Sequence, residues 1–159
     1  MHKNFLIFGL LLLSLLGISD SAYLSYKALT GGALSCTIKG LEGCNVVAQS
    51  VYSHLFGIPL GVYGVVFYTT VFILTVLVLM VPIRFAHDAL AGLGILGLIA
   101  SIFFIGIQVF LIKALCVYCL ASAAISFFAC VLAVLLWHRF TVTKKLENKG
   151  QNDDMVTAS

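Results

Sequence analysis

Four long apolar stretches, each bounded by charge or by proline, set the pattern of this chain. The first runs from about Asn4 to Tyr23 and is interrupted only by Asp20. The second runs from about Phe56 to Val81 and stops at Pro82-Ile83-Arg84. The third covers about Ala89 to Ile112, between Asp88 and Lys113, and the fourth about Cys116 to Trp137, ending at His138-Arg139. A membrane-crossing helix needs roughly 20 mostly apolar residues, so each stretch predicts a helix that crosses with some tilt. The connections after the second and third stretches are tight, and the segment from about Lys27 to Leu55 is the one long loop. The polar residues from Thr141 to Ser159, with Lys144, Lys145, Glu147, Lys149, Asp153 and Asp154, predict a tail without fixed structure. The pattern predicts a four-helix membrane domain over 1–140 and a polar cytoplasmic tail over 141–159. It shows no internal repeat and no second domain.

Composition agrees and excludes the other classes. The chain has 159 residues, 62% hydrophobic and only 9% charged, whereas soluble domains carry about 25% charged residues. Disorder needs low hydrophobicity and high net charge. A net charge of +3 without a dense basic patch gives no phosphate footprint, so no nucleic-acid partner is expected. The remaining class is an all-α integral membrane protein, a four-transmembrane-helix bundle with a long extracytoplasmic loop between its first two helices. A cleaved signal peptide is the alternative for the N-terminus, given Lys3 and the small residues Ser19, Ser21 and Ala22. Tyr23-Leu24-Ser25-Tyr26 continues the helical pattern, which favours a retained span.

Orientation follows from Lys and Arg. The side with both termini holds Lys3, Arg84, Arg139, Lys144, Lys145 and Lys149; the other holds only Lys27, Lys39 and Lys113. Cytoplasmic termini are expected. Glycines at Gly57, Gly61, Gly64, Gly92, Gly94 and Gly97 suit close helix packing.

The five cysteines then gain a location. Cys36 and Cys44 lie in the long loop; Cys116 and Cys119 lie at the start of the fourth span, on the same membrane face. With cytoplasmic termini this is the face where disulfides persist. Cys116-Val117-Tyr118-Cys119 is a C-x-x-C at a helix start, where the helix N-terminus and Lys113 favour a thiolate at Cys116. Cys119 is one turn deeper, roughly 4–5 Å at 1.5 Å per residue, at the boundary between water and hydrocarbon. The placement suggests a relay of thiol–disulfide exchange from soluble thiols, through the loop pair, through the C-x-x-C, to a lipid-dissolved acceptor such as a quinone. Two bland readings compete: a structural staple between loop and helix, and a zinc site. The seven residues between Cys36 and Cys44 are long for a zinc pair. Cys130 lies eleven residues beyond Cys119, roughly 16 Å deeper, too far for a bond that needs Cα atoms within about 7 Å; it reads as a buried small hydrophobe.

In its residue order the chain resembles the vitamin K epoxide reductase family, particularly its bacterial homologues. That order is the first span, Cys36 and Cys44, then Ser50, then Ser53-His54-Leu55-Phe56-Gly57-Ile58-Pro59-Leu60-Gly61, then Cys116-Val117-Tyr118-Cys119 opening the last span. The likeness extends to about Arg139. The four-helix quinone-dependent disulfide oxidases of the bacterial inner membrane place their C-x-x-C in the first loop, the reverse order. The resemblance implies that Cys119 meets the quinone, Cys116 is its resolving partner and exchanges with Cys44, and Cys36 exchanges with a partner protein. It implies that Ser50 is the loop hydroxyl supporting the centre. It also implies that the stretch with Val46, Val47 and Val51 is a short amphipathic helix lidding the pocket. Animal enzymes carry an asparagine before the Phe-Gly step and a tyrosine one turn after the C-x-x-C; here those places hold Ser53 and Ala123. Two ring-carbonyl hydrogen bonds are therefore expected to be missing, which argues against reduction of vitamin K epoxide. The chain ends without the thioredoxin-like domain fused to many bacterial members, so a thioredoxin-fold partner is expected in trans.

The reading that results is a bacterial inner-membrane oxidoreductase coupling disulfide formation to reduction of ubiquinone or menaquinone, without a metal. Its rivals are reduction of vitamin K quinone or epoxide by the same cysteines, and a tetraspan structural protein stapled by disulfides. Among other polar residues, Asp20 near the outer end of the first span is placed to reach the interface or Lys27, though intramembrane ionisable residues are functional by default. Gln108 reads as a helix-packing hydrogen bonder. His2, His54, His87 and His138 are scattered at span ends and suggest no metal cluster.

Overall fold

From Leu60 on, none of the later apolar stretches carries an internal proline, and the first carries none either, so each can close its backbone hydrogen bonds within a helix, as lipid requires. In the computed structural model, which describes residues 2–34, 36, 43–81 and 83–157, four helices are long and apolar enough to cross a membrane. Helix α1 spans His2–Thr30. It runs about two turns past the expected Tyr23 and ends where Gly31 takes a left-handed φ of +66°. The Gly32 N–H then donates back to the Lys27 carbonyl at 3.1 Å, the 6→1 bond of a Schellman cap. Helix α2 is the short Cys44–Ala48 segment, followed by a 3₁₀ turn at Val51–Ser53.

The second span begins later than expected. Residues 56–59, read from their apolar side chains as the start of the second span, form a hairpin with His54 and Leu55 instead. Strand β1, His54–Leu55, pairs antiparallel with β2, Ile58–Pro59, in the register His54↔Pro59 and Leu55↔Ile58. Phe56 and Gly57 turn the chain with φ values of +53° and +81°, the two positive φ angles that a type I′ hairpin turn demands. Gly57 thus serves a turn and not helix packing. Pro59 closes the hairpin and leads into α3, Leu60–Met80, where its missing N–H costs no helical bond.

Helix α4 covers Arg84–Gly106 and widens into a π-helical turn over Ile107–Ile112. Helix α5 covers Val117–Thr157. The polar segment beyond residue 140, expected to lack fixed structure, continues this helix without a break. Lys144, Lys145, Leu146 and Glu147 are strong helix formers, and Lys144 pairs with Glu147 at 3.1 Å on the exposed face.

Helix α1 packs on α3 and α5, and α4 packs on the same two helices, so the four spans close into a ring. Small residues set the close approaches. A methyl group on Gly61 would stand 2.6 Å from Ser25 Oγ and 2.8 Å from its N, and one on Gly94 3.1 Å from Cys130 Cα. Gly92 faces open space and has no such role. One buried cluster, including Ile7, Leu10, Val71, Val78, Leu90, Ala133 and Leu136, fills the half of the bundle at the termini. A second, Leu34, Cys44, Val47 and Cys116, lies under the long loop. The outer faces carry bare side chains such as Phe5, Phe8, Met80 and Phe103, suited to lipid. The four apolar helices fit an integral membrane protein.

Candidate active site

The loop is pinned from both ends of its described part. Asn45 Oδ1 accepts from the Leu34 N–H at 2.7 Å, and Asn45 Nδ2 donates to the Leu34 carbonyl at 3.1 Å. Cys36 and Cys44 are joined by a disulfide with their Cα atoms 6.3 Å apart. Residue 35 and residues 37–42, among them Lys39, lie outside the described residues. Gly43 brings this loop against the segment before the C-x-x-C. A methyl group there would sit 2.7 Å from Ala114 Cβ and 3.0 Å from both the N and the O of Leu115. Only hydrogen in place of a side chain permits that approach. Its consequence is that Cys44, fully buried, shares one cluster with Cys116, which is 1% exposed.

The C-x-x-C is presented by the π turn. Lys113 ends it in the left-handed region, φ +55° and ψ +31°, which is uncommon for a residue with a side chain. The wide turn points Gln108 inward, where it is buried. Gln108 Oε1 accepts from the Cys116 N–H at 3.0 Å, one of the donors that a helix start leaves unpaired. The Leu120 N–H donates to the Cys116 carbonyl at 3.0 Å, so Cys116 stands at the head of α5. Cys116 and Cys119 are both free thiols. The Cys116 thiol is pushed down to about 7, chiefly by the hydrogen bond from Cys119; N–H groups of Cys119 and Tyr118 add to this, and burial opposes it. The expected helix N-terminal effect at Cys116 therefore acts through these two N–H groups. Tyr118 also packs on Tyr23 of α1, ring centroids 5.2 Å apart.

Below the loop a cavity of about 780 Å³ opens between the helices, and Cys44, Ser50, Ser53, Gln108, Cys116 and Cys119 all line it. Its size falls in the range of about 300–1,000 Å³ usual for small-molecule sites. Leu24, Phe67, Leu96, Ala100 and Phe104 give it apolar walls. At one side Tyr68, Ser122 and Ser126 form a hydroxyl cluster: the Tyr68 hydroxyl donates to the Ser122 carbonyl at 2.8 Å and lies 2.9 and 2.8 Å from the Ser122 and Ser126 hydroxyls. Ala123 also lines the cavity.

The sequence-predicted residues are thus largely brought together. Ser50 Oγ donates to the Val47 carbonyl at 2.7 Å. Ser53 Oγ lies 2.7 and 2.8 Å from the Ala48 and Ser50 carbonyls and 2.8 Å from His54 Nδ1. Both serines hold the loop's shape while facing the cavity. In the stretch expected as a lid, Val47 is buried while Val46 and Val51 are exposed. Cys130 stands apart, buried against Gly94. Among the described residues no three His, Cys, Asp or Glu side chains gather as a metal site. His87, expected at an interface, is buried and stacks on Phe140 with centroids 4.0 Å apart. Gly43, Asn45, Tyr68 and the hydroxyls of Ser122 and Ser126 were not singled out from sequence. Gln108 was, as a packing residue; its solitary amide in an apolar span was the signal, and the structure ties it to Cys116.

Comparison with known proteins fits this geometry. Residues 8–134 match the model of the vitamin K epoxide reductase family. The chain belongs to that family. Among curated relatives of this vitamin K epoxide reductase family member, the thiol-disulfide oxidoreductase LTO1 of Arabidopsis thaliana is 36% identical over 115 residues. The match covers 68% of this chain but 30% of the relative, so this family member spans under a third of that protein's length. Membership and this relative together support a thiol redox function carried by cysteines.

Proposed function

We propose that this protein is a membrane thiol–quinone oxidoreductase that supports disulfide formation. One observation carries the reading: Cys44 of a disulfide-bonded loop pair and Cys116 of a free C-x-x-C share one buried cluster above a cavity that Cys119 lines. That is the arrangement expected after the loop pair has given its electrons to the C-x-x-C and before the C-x-x-C passes them on.

In the proposed cycle a reduced thioredoxin-fold protein, acting in trans on the extracytoplasmic face, delivers two electrons to Cys36–Cys44. The Cys44 thiolate attacks Cys116 of the oxidised C-x-x-C and Cys119 leaves as thiolate. Cys36 then attacks Cys44, which frees Cys116 and restores the loop disulfide. Every step is thiol–disulfide exchange, which is fastest when the attacking thiol's pKa is near ambient pH. A quinone, ubiquinone or menaquinone, supplies the terminal chemistry by accepting two electrons and two protons while dissolved in lipid. The apolar cavity walls fit its ring, Cys119 faces it, and Ser50 and Ser53 border it. The Lys and Arg distribution supports cytoplasmic termini; the bacterial inner-membrane location is proposed from the likeness to bacterial homologues alone.

A permanent staple would have to join the loop to the helix, whereas Cys116 and Cys119 are free thiols, which favours the relay. Reduction of vitamin K quinone or its epoxide by the same cysteines is the second reading. Ser53 is occupied with backbone carbonyls and Ala123 has no hydroxyl, so the two ring contacts seen in animal enzymes are not supplied at these positions. The test is quinone reduction by the purified protein with a reduced thioredoxin-fold donor. Wild type is expected to turn over. Cys116→Ala and Cys119→Ala are expected to lose activity at least about a hundredfold, as for an essential covalent residue. Undiminished turnover in either variant would contradict the proposal.

A further inference from the structure

Asp20 is the one acidic residue within the first apolar stretch, and its Oδ2 is buried with no hydrogen-bond partner. A carboxylate oxygen so placed is costly, and a buried polar group left unpaired in a native fold calls for a role. Its neighbours on α1 show which way it faces. Three residues before it, Gly17 lies against the Tyr68 ring, where a methyl group would meet Cδ1 at 2.5 Å. One residue after it, Ser21 packs on Gly64 and borders the cavity. Four residues after it, Leu24 packs, as Cys119 does, against the cluster that holds Cys44 and Cys116. Residues three and four apart share a helix face, so Asp20 faces the interior between Tyr68 and the C-x-x-C. Lys27, the expected partner, instead lies over the Tyr23 ring at 5.8 Å.

We propose that Asp20 is the proton-transfer residue of the C-x-x-C, accepting the Cys119 thiol proton, through an intervening water, and returning it to the reduced acceptor. This rests on the thiol–quinone reading above. The balance is simple. Two S–H bonds break at Cys116 and Cys119 and one S–S bond forms; two electrons and two protons pass to the two quinone oxygens, giving a hydroquinone. Thiolate, not thiol, is the nucleophile, and Cys119 lines a cavity whose walls beside it are largely apolar, so an acceptor inside the bundle would take its proton directly. Asp20 provides one without any net change of charge in the membrane.

The test compares wild type, Asp20→Asn and Asp20→Glu in three assays. The first is reduction of a short-chain ubiquinone by the reduced protein. The second, free of quinone, is alkylation of Cys119 by a small uncharged maleimide across pH, mapped by peptide mass. The third is exchange of a soluble dithiol with the Cys36–Cys44 pair. With Asp20 as internal acceptor, wild-type alkylation of Cys119 is flat through neutral pH. Asp20→Asn removes that plateau, so the rate climbs with pH. It also slows quinone reduction at least about tenfold, while loop exchange is unchanged and Asp20→Glu restores part of the rate. A carboxylate that acts only by repelling the Cys119 thiolate predicts the opposite sign, faster alkylation in Asp20→Asn, and overturns the proposal. Equal slowing of all three assays marks a structural role and overturns it as well. A wild type that reduces no quinone contradicts the proposed function, and the alkylation profile then still decides Asp20.

Discussion

Cys116 carries hydrogen bonds at two atoms: its N–H is bound by Gln108 and its sulfur by the Cys119 thiol. The second bond stabilises the thiolate, so the pH of half-reaction should lie near 7 rather than the usual value of about 8.5. The sign follows directly. Above that pH Cys116 is a thiolate and attacks; below it the thiol is protonated and inert. Alkylation of reduced Cys116 by a small reagent should be half-maximal near pH 7 and should move upward in Cys119→Ala, which removes the largest cause of the shift. An unmoved midpoint would show that Cys119 does not activate its neighbour. At this scale the sequence was informative about the cysteines, because C-x-x-C at a helix start is a local pattern. Gln108 and Asn45 were not legible as site residues, since their partners lie 8 and 11 residues away across turns.

The elements divide in the same way. Long apolar runs announce spans, and all four are present. The hairpin at 54–59 was hidden because Leu55, Phe56 and Ile58 are as apolar as the helix that follows; only the φ values of Phe56 and Gly57 distinguish a turn. The π turn was hidden because an extra residue in a helical turn leaves no compositional mark. The contact between elements that matters most is the approach of Gly43 to Ala114 and Leu115. Gly43→Ala should displace the loop by a few tenths of an ångström or more and cost about 1–3 kcal/mol locally. Transfer between the two cysteine pairs should fall about tenfold or more, because misplacement of reacting groups by about 1 Å can cost a hundredfold. Helical content and unfolding of the bundle should be preserved. Rapid-quench alkylation against thermal unfolding separates the two; normal transfer in Gly43→Ala would show that the close approach is not required.

At the scale of the whole molecule, low charge confines the chain to lipid, and the even number of spans gathers four of five cysteines at one face. The ring of helices leaves a cavity under that face and fills the opposite half with Leu, Val and Ala. The two pairs are separated in sequence by 71 residues between Cys44 and Cys116, and closing the bundle is what makes them neighbours. That proximity is the claim on which the proposed relay depends. It is tested most directly by replacing Cys36 with serine and mapping disulfides in the membrane-embedded protein by non-reducing peptide mass analysis. Without Cys36 to release it, Cys44 should be caught in a disulfide with Cys116, leaving Cys119 free. A Cys44 that stays a free thiol beside an intact Cys116–Cys119 disulfide would contradict the account.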